Sequence, residues 1–281
     1  MNKLAFINTE FIAEEKAVLH FSDLSIMRGY GIFDFLKVVN NIPVFLDDHL
    51  NRFYASAAEM RMAVPYSKKE LKNIIYELLN KNQVSNTGIR ITLTGGYSPD
   101  GYQLSKPNLV ISLHSIHIPT SEQFEKGIKL ITYAHQRQFP QAKTIDYLMA
   151  IWLQPLVRQN QADDILYYHN GVISECPRAN IFLVNRENKV VTPGKNILKG
   201  IIRSKTIQLA QEFYDCEERD ISIEELKAAK EVFITSTTKY ILPVSQIDDC
   251  VLPVQKTVST RLSLALKHFE QISCGSKLPA V

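Results

Sequence analysis

Two side chains set the chemical question. Lys143 opens the segment KTIDYL at the head of an apolar stretch, and Glu175 stands between the turn-like HNGVIS and the strand-like ANIFLV. A lysine amine can form an imine with a carbonyl compound, and a carboxylate can keep a ring nitrogen protonated. Two further segments, LKGIIRS (198–204) and ITSTTKYILPV (234–244), offer free amides at a helix start and a run of hydroxyls. Both suit an anion. Taken singly, each has a plainer account. Lys143 and Glu175 read as solvated surface charges, Thr235 to Thr238 as turn formers, and GIIR as a helix start capped by water. Their joint order along one chain is what changes the reading.

These residues need a scaffold, and the pattern supplies one. LAFINTEFI and KAVLHFSD read as strands, and FDFLKVVNNIPVFL (33–46) as a hairpin turning at Asn40-Asn41. Asp47 and Asp48 then predict an N-cap for a helix through Met62, with Leu50, Phe53, Ala57 and Met60 at helical spacing. Ser67 and Glu70 form a capping box for a second helix through Leu79. GIRITLTGG (88–96) and NLVISLHSIHI (108–118) predict two more strands, joined by the turn-rich YSPDGYQLSKP. After a strand at KLITYA, a helix is expected from about Thr144 to Asn160, with Pro155 kinking or breaking it. DILYYH, Asn170-Gly171 and VIS make a hairpin, continued by ANIFLVN and KVVTP. A helix is expected from Gly200-Ile201 to Phe213, a Ser222/Glu225 capping box before the strand EVFITS, and a last helix over Val258–Ile272. The fold class is therefore α+β in two domains. The expected bounds are 1–118 for a small N-terminal domain, 119–127 for a linker, and 128–281 for a larger C-terminal domain of mixed β-structure flanked by helices.

The 281-residue length suits two domains, and a composition 45% hydrophobic and 22% charged suits ordinary cores. A net charge of +3 without a basic cluster argues against nucleic acid. No apolar run is long enough for a membrane span, and no signal peptide is evident. Cys176, Cys216, Cys250 and Cys274 are widely spaced without a Cys-x-x-Cys, as in a reduced cytoplasmic enzyme. His114 and His117 fall three apart on a strand-like run and face opposite ways, so no metal site is expected.

From end to end the chain resembles the fold-type IV (class IV) aminotransferase family: branched-chain aminotransferases, D-amino-acid aminotransferases and 4-amino-4-deoxychorismate lyase. Six segments carry the resemblance in order: RGYGIFDFLKV, HLNRFYASA, AKTIDYL, SECPRANIF, LKGIIR and STTKYILPV. The resemblance implies pyridoxal 5′-phosphate as cofactor and small amino-acid and 2-oxo-acid substrates. It implies that Lys143 bonds to the cofactor and shuttles a proton, both of which need its neutral amine. It gives Glu175 to the pyridine nitrogen, and Arg52, the Ile201 and Ile202 amides and Thr237 to the phosphate. Tyr147 is placed for the phenolate oxygen. It also implies a homodimer, in which the loop 97–106 is the expected reach-over segment.

The departures concern substrate. D-amino-acid enzymes carry Arg-x-His where this chain has Asp100-Gly101-Tyr102, and an acid there repels a carboxylate. Branched-chain enzymes carry Tyr-x-Arg where this chain has Gly88-Ile89-Arg90, so the arginine is kept and the tyrosine lost. The aromatic-Glu pair is Phe33-Asp34, one methylene shorter, which weakens an ion pair to the lysine. Tyr30, Phe33, Tyr97 and Thr238 are candidates to line the substrate site, although core packing accounts for Phe33 equally well. Arg178 is a second candidate for a substrate carboxylate, or a surface arginine. An L-branched-chain or other apolar amino acid, with 2-oxoglutarate as acceptor, is the expected pair. The alternatives are the lyase, a D-amino-acid aminotransferase, and a cofactor-binding protein without turnover.

Overall fold

The structure is a computed structural model describing residues 3–253 and 256–273. Cys274 lies outside them. The chain divides into two units. Of the described residues, one comprises 3–116 with 142–146 and Ser273, and the other 117–141 and 147–272.

The first unit contains β1 (Leu4–Ile7), β2 (Glu10–Ala13), α1 (Leu24–Arg28), β3 (Gly31–Val39), β4 (Ile42–Pro43), α2 (Leu46–Glu59), α3 (Lys68–Asn82), β5 (Thr87–Thr94) and β6 (Leu109–His114). The strands form one antiparallel sheet ordered β2-β1-β6-β5-β3-β4. Strand period sends Ile32, Leu36, Val38, Ile89, Ile91, Leu93 and Ile111 to one buried face. The helices supply Leu50, Phe53, Leu71, Ile75 and Leu78 to the same core. The opposite face of β3 and β5 carries Phe33, Phe35, Arg90 and Thr92, with Phe33 opposite Thr92 and Phe35 opposite Arg90.

The second unit contains α4 (Ser121–Lys126), β7 (Ile128–Ala134), α5 (Leu148–Trp152), α6 (Gln154–Gln159), β8 (Asp164–His169), β9 (Val172–Ile173), β10 (Glu175–Cys176), β11 (Ala179–Val184), β12 (Val190–Thr192), α7 (Ile201–Phe213), β13 (Cys216–Glu218), α8 (Ile223–Lys227), β14 (Glu231–Ser236), β15 (Tyr240–Ile247), β16 (Cys250–Val251) and α9 (Thr257–Ser273). Its curled mixed sheet runs β13-β12-β11-β14-β15-β7-β8-β9, with β10 on β11 and β16 on β15. β11 is buried along its whole length, as befits a central strand covered on both faces.

Local turn chemistry reads through. Asn40-Asn41 (φ 50° and 64°) and Asn170-Gly171 (φ 49° and 77°) make the two expected hairpins. The Ser67/Glu70 box caps α3 in both directions. Other expectations need correction, among them KAVLHFSD (16–23), which ends a 3₁₀ turn at Lys16 and continues as irregular backbone, not as a strand. Asp47 and Asp48 sit in the first turn of α2, where they favour the helix dipole, and Phe45 in left-handed backbone (φ 52°) is the cap. The helix expected from Thr144 begins at Leu148, because residues 142–146 belong to the first unit; it breaks at Leu153, with Pro155 in the first turn of α6. Ser222 caps the Glu225 amide, while the Glu225 carboxylate pairs with Arg219 instead of returning to the cap. The stretch 119–127 contains α4, which starts under a Thr120/Gln123 capping box.

Candidate functional site

In the first unit, the segment 142–146 lies along β3. The Phe33 amide donates to the Lys143 carbonyl at 2.9 Å, and the Ile145 amide to the Gly31 carbonyl at 3.0 Å. The Lys143 amide donates to Ser56 Oγ at 3.1 Å, and Ala142 is fully buried in the core. Three backbone bonds and a buried methyl therefore fix the base of the lysine. Its Nζ lies 4.6 Å from the centroid of the Phe33 ring. The Arg90 guanidinium lies 3.9 Å from the same ring. One aromatic ring thus carries an amine and a cation suited to a carboxylate. Gly88, where a tyrosine is absent, leaves room that the Phe35 ring fills; a Cβ there would stand 2.4 Å from its edge.

Asp34 points to the core face with zero exposure, so its charge requires partners. α2 provides them at i and i+3: His49 Nδ1 shares a hydrogen bond with Asp34 Oδ1 at 2.7 Å, and Arg52 donates through Nε and Nη2 at 2.9 and 2.8 Å. Burial pushes the Asp34 carboxyl up, but Arg52 and His49 together outweigh it and hold the group well below the usual carboxylate range. Burial pushes the His49 imidazole down, Asp34 opposes, and the charges of Arg52 and Lys143 add to the fall. The acid of the Phe33-Asp34 pair therefore serves Arg52 and His49. The Arg52 fork, assigned from sequence to a phosphate, also holds Asp34.

In the second unit, Glu175 is 5% exposed. Its Oε1 accepts from Arg137 Nε at 3.0 Å, and its Oε2 from the Leu198 amide at 2.9 Å. Asn180 Nδ2 stands 3.5 Å from Oε2 and donates to the Leu198 carbonyl at 2.7 Å. Arg137 had no signal in the sequence, because it lies in an irregular stretch 38 residues from its partner.

The acid and the two anion segments are built as one piece. Glu175 pairs with Asn180 across β10 and β11, and Asn180 pairs with Thr235 across β11 and β14. Two inter-strand steps separate the acid from Thr235 by roughly 10 Å, and Thr237 and Thr238 follow in the β14–β15 turn. The other segment opens α7 at Gly200, with no side-chain cap on its first amides. A Cβ at Gly200 would lie 2.2 Å from Asn180 Oδ1, so only glycine lets the helix start approach that closely. Uncapped amides of Ile201 and Ile202, half-buried threonine hydroxyls and a buried carboxylate are the donor and acceptor set that a phosphorylated pyridine requires.

The remaining sequence candidates are distributed differently. Tyr147 is the half-buried N-cap residue of α5. Arg178 is exposed in the β10–β11 turn. Tyr97 is 42% exposed and edges against His20. Tyr30 donates its hydroxyl to the Met60 carbonyl at 2.7 Å. Asp100 is knotted into its own loop, accepting from the Gln103 and Tyr102 amides at 2.8 and 2.9 Å and from Ser98 Oγ at 3.1 Å. Those two amides hold its carboxyl below the ordinary range.

The two units carry the architecture of known amino-group-transferring enzymes. The crystal structure of the Escherichia coli branched-chain amino acid aminotransferase superposes with a TM-score of 0.89 at 23% identity, over 99% of this chain and 97% of that one. The branched-chain aminotransferase of the thermophilic archaeon Thermoproteus uzoniensis, solved with norvaline, gives 0.85 at 24% identity, over 98% and 95%. In sequence, the D-alanine aminotransferase of Bacillus licheniformis is 29% identical over 268 residues, covering 91% of this chain and 94% of that protein. The family model for amino-transferase class IV matches residues 31–247, and the chain belongs to that family. Pyridoxal 5′-phosphate is the family's cofactor. Among the described residues, no helix is long and apolar enough to cross a membrane.

Proposed function

We propose that the chain is a transaminase moving the amino group of an L-amino acid with a branched or other apolar side chain to 2-oxoglutarate. The observation that carries this reading is the sharing of the Phe33 ring by Lys143 and Arg90. Lys143 Nζ bonds to the cofactor and moves the proton of the substrate Cα. Arg90 holds the substrate carboxylate, and Phe33 lines the side-chain path. The bound cofactor supplies the electron sink for that proton transfer. Glu175 keeps the ring nitrogen protonated, with Arg137 and the Leu198 amide fixing its carboxylate. Tyr147 addresses the phenolate oxygen. Arg52, the Ile201 and Ile202 amides and Thr237 hold the phosphate, and Thr238 faces substrate.

A second reading, D-alanine as donor, is favoured by the Bacillus licheniformis relative. Against it stands the loop 97–106, where Asp100-Gly101-Tyr102 replaces the Arg-x-His of D-amino-acid enzymes and an acid repels a substrate carboxylate. The deciding measurement is the half-reaction spectrum with L-leucine, L-valine and D-alanine. A faster conversion with D-alanine than with every L-amino acid overturns the L-specific reading. Pyruvate release from aminodeoxychorismate, with no amino acid reacting, replaces it with the lyase.

A homodimer belongs to the same proposal. α5 exposes Leu148, Ile151 and Trp152 at 72, 69 and 63%, an apolar face that a second copy would cover. In the first unit Val18, Phe21 and Ile26 are exposed at 72, 72 and 57%. Light scattering that finds an active monomer at assay concentration overturns it.

A further inference from the structure

The β14–β15 turn contains a lysine that the roles above do not use. Lys239 directly follows Thr237 and Thr238. Its Nζ donates to Asp164 Oδ2 at 2.8 Å, with the two side chains 18 and 7% exposed. The other carboxylate oxygen of Asp164 accepts the Ile165 amide at 3.0 Å, so the acid is held at the start of β8. At the turn itself, the Lys239 amide donates to Ser236 Oγ at 3.2 Å. The next residue, Tyr240, has φ 55°, a left-handed conformation unfavourable for an aromatic residue. Such a conformation persists only where its surroundings hold it. The Tyr240 hydroxyl is tied to Glu270 on α9, and the lysine ties the other side of the turn.

The pair also reaches the strand that bears the acid. Burial pushes the Cys176 thiol well up, the Asp164 charge adds to the rise, and the Lys239 charge opposes it. Cys176 follows Glu175 on β10. The ammonium lies at the start of β8, and β8 packs against β10.

We propose that Lys239 is a positioning residue for the anion turn: its ion pair with Asp164 locks Ser236–Thr238 in the shape that receives a phosphate group. The lysine acts through the turn and not on the phosphate, because its charge is committed to Asp164. The inference rests on the cofactor reading above, and the test separates the two. Full-length protein stripped of cofactor is titrated with pyridoxal 5′-phosphate and with pyridoxal, which lacks the phosphate. In the parent protein the phosphate ester binds more tightly; no phosphate preference there refutes the cofactor reading itself.

In Lys239→Met the phosphate-ester Kd should rise about tenfold while the pyridoxal Kd changes less than about twofold. Lys239→Met leaves Asp164 buried without its cation, so Lys239→Met/Asp164→Asn removes both charges and carries the test if the single variant does not fold. Lys239→Arg keeps the ion pair and should keep the parent ratio. A double variant with the parent ratio of the two affinities overturns the proposal. So does an equal weakening of both ligands, which marks a general loss of structure.

Discussion

Arg137 donates its Nε–H to Glu175 Oε1 at 3.0 Å, while Nη2 donates to the Pro140 carbonyl at 2.6 Å. The carboxylate assigned to a ring nitrogen is thus already anchored by a cation that is itself anchored to backbone. Glu175→Gln keeps an acceptor for the Leu198 amide but loses the charge. Its half-reaction rate should fall on the order of 10²-fold, as for removal of one preorganised electrostatic group. Equilibrium dialysis should find cofactor affinity reduced by less than about tenfold. An unchanged rate would make the acid purely structural.

Borohydride treatment of the purified protein should attach the cofactor to Lys143, and peptide mapping should recover the label there. A label on Lys239, Lys199 or any other lysine sinks the assignment. Lys143→Ala should still bind cofactor, without the covalent bond, and lose turnover by 10²-fold or more, roughly the contribution of a positioned general base.

Arg52 holds Asp34, and the phosphate role proposed for it has a separate readout. Arg52→Ala leaves Asp34, at zero exposure, with its hydrogen bonds to His49 and the Phe35 amide but without its guanidinium, so unfolding free energy should fall by about 3–5 kcal/mol. Adding Asp34→Asn removes the stranded charge and should recover much of that loss in a denaturant titration. It should not recover phosphate affinity. Recovery of both would remove Arg52 from the phosphate site.

His49 predicts a pH dependence with a definite sign. Burial holds its folded-state value below the unfolded value of about 6.5, so the unfolded chain takes up the proton first as pH falls. Its stabilising contribution is complete above that pH and is lost below it, at up to about 1.4 kcal/mol per pH unit. His114, also held down chiefly by burial, adds to the slope. Urea midpoints between pH 7.5 and 5 should therefore fall less steeply in His49→Gln than in the parent. Parallel slopes would mean that His49 takes up its proton at the same pH in the folded and the unfolded chain.

What the sequence reveals here tracks range. The Asn40-Asn41 and Asn170-Gly171 turns and the Ser67/Glu70 cap are decided within four residues, and all are legible. The start of α5 is not, because the helical pattern from Thr144 is overridden by bonds to Gly31 and Phe33, more than a hundred residues earlier. Phe45 in left-handed backbone has no propensity signal, since an aromatic residue reaches it only under tertiary constraint. Lys143, Glu175 and Thr237 are singled out by the segments around them. Their immediate partners are not: Arg137 is 38 residues from Glu175, and Lys239 is 75 from Asp164. Side-chain pairs at such separations leave no period to read.

The ownership of residues 142–146 bears on how the protein is made. The first unit is nearly all encoded before residue 117, yet the segment that buries Ala142 and bonds to Gly31 and Phe33 comes later. A nascent chain halted at residue 116 includes the sequence of every strand and helix of the first unit but lacks the segment that bonds along β3. The ribosome must deliver a further thirty residues, a few seconds of synthesis at 5–20 residues per second, before those bonds can form. Completion of the N-terminal unit is thereby timed to the emergence of the lysine itself.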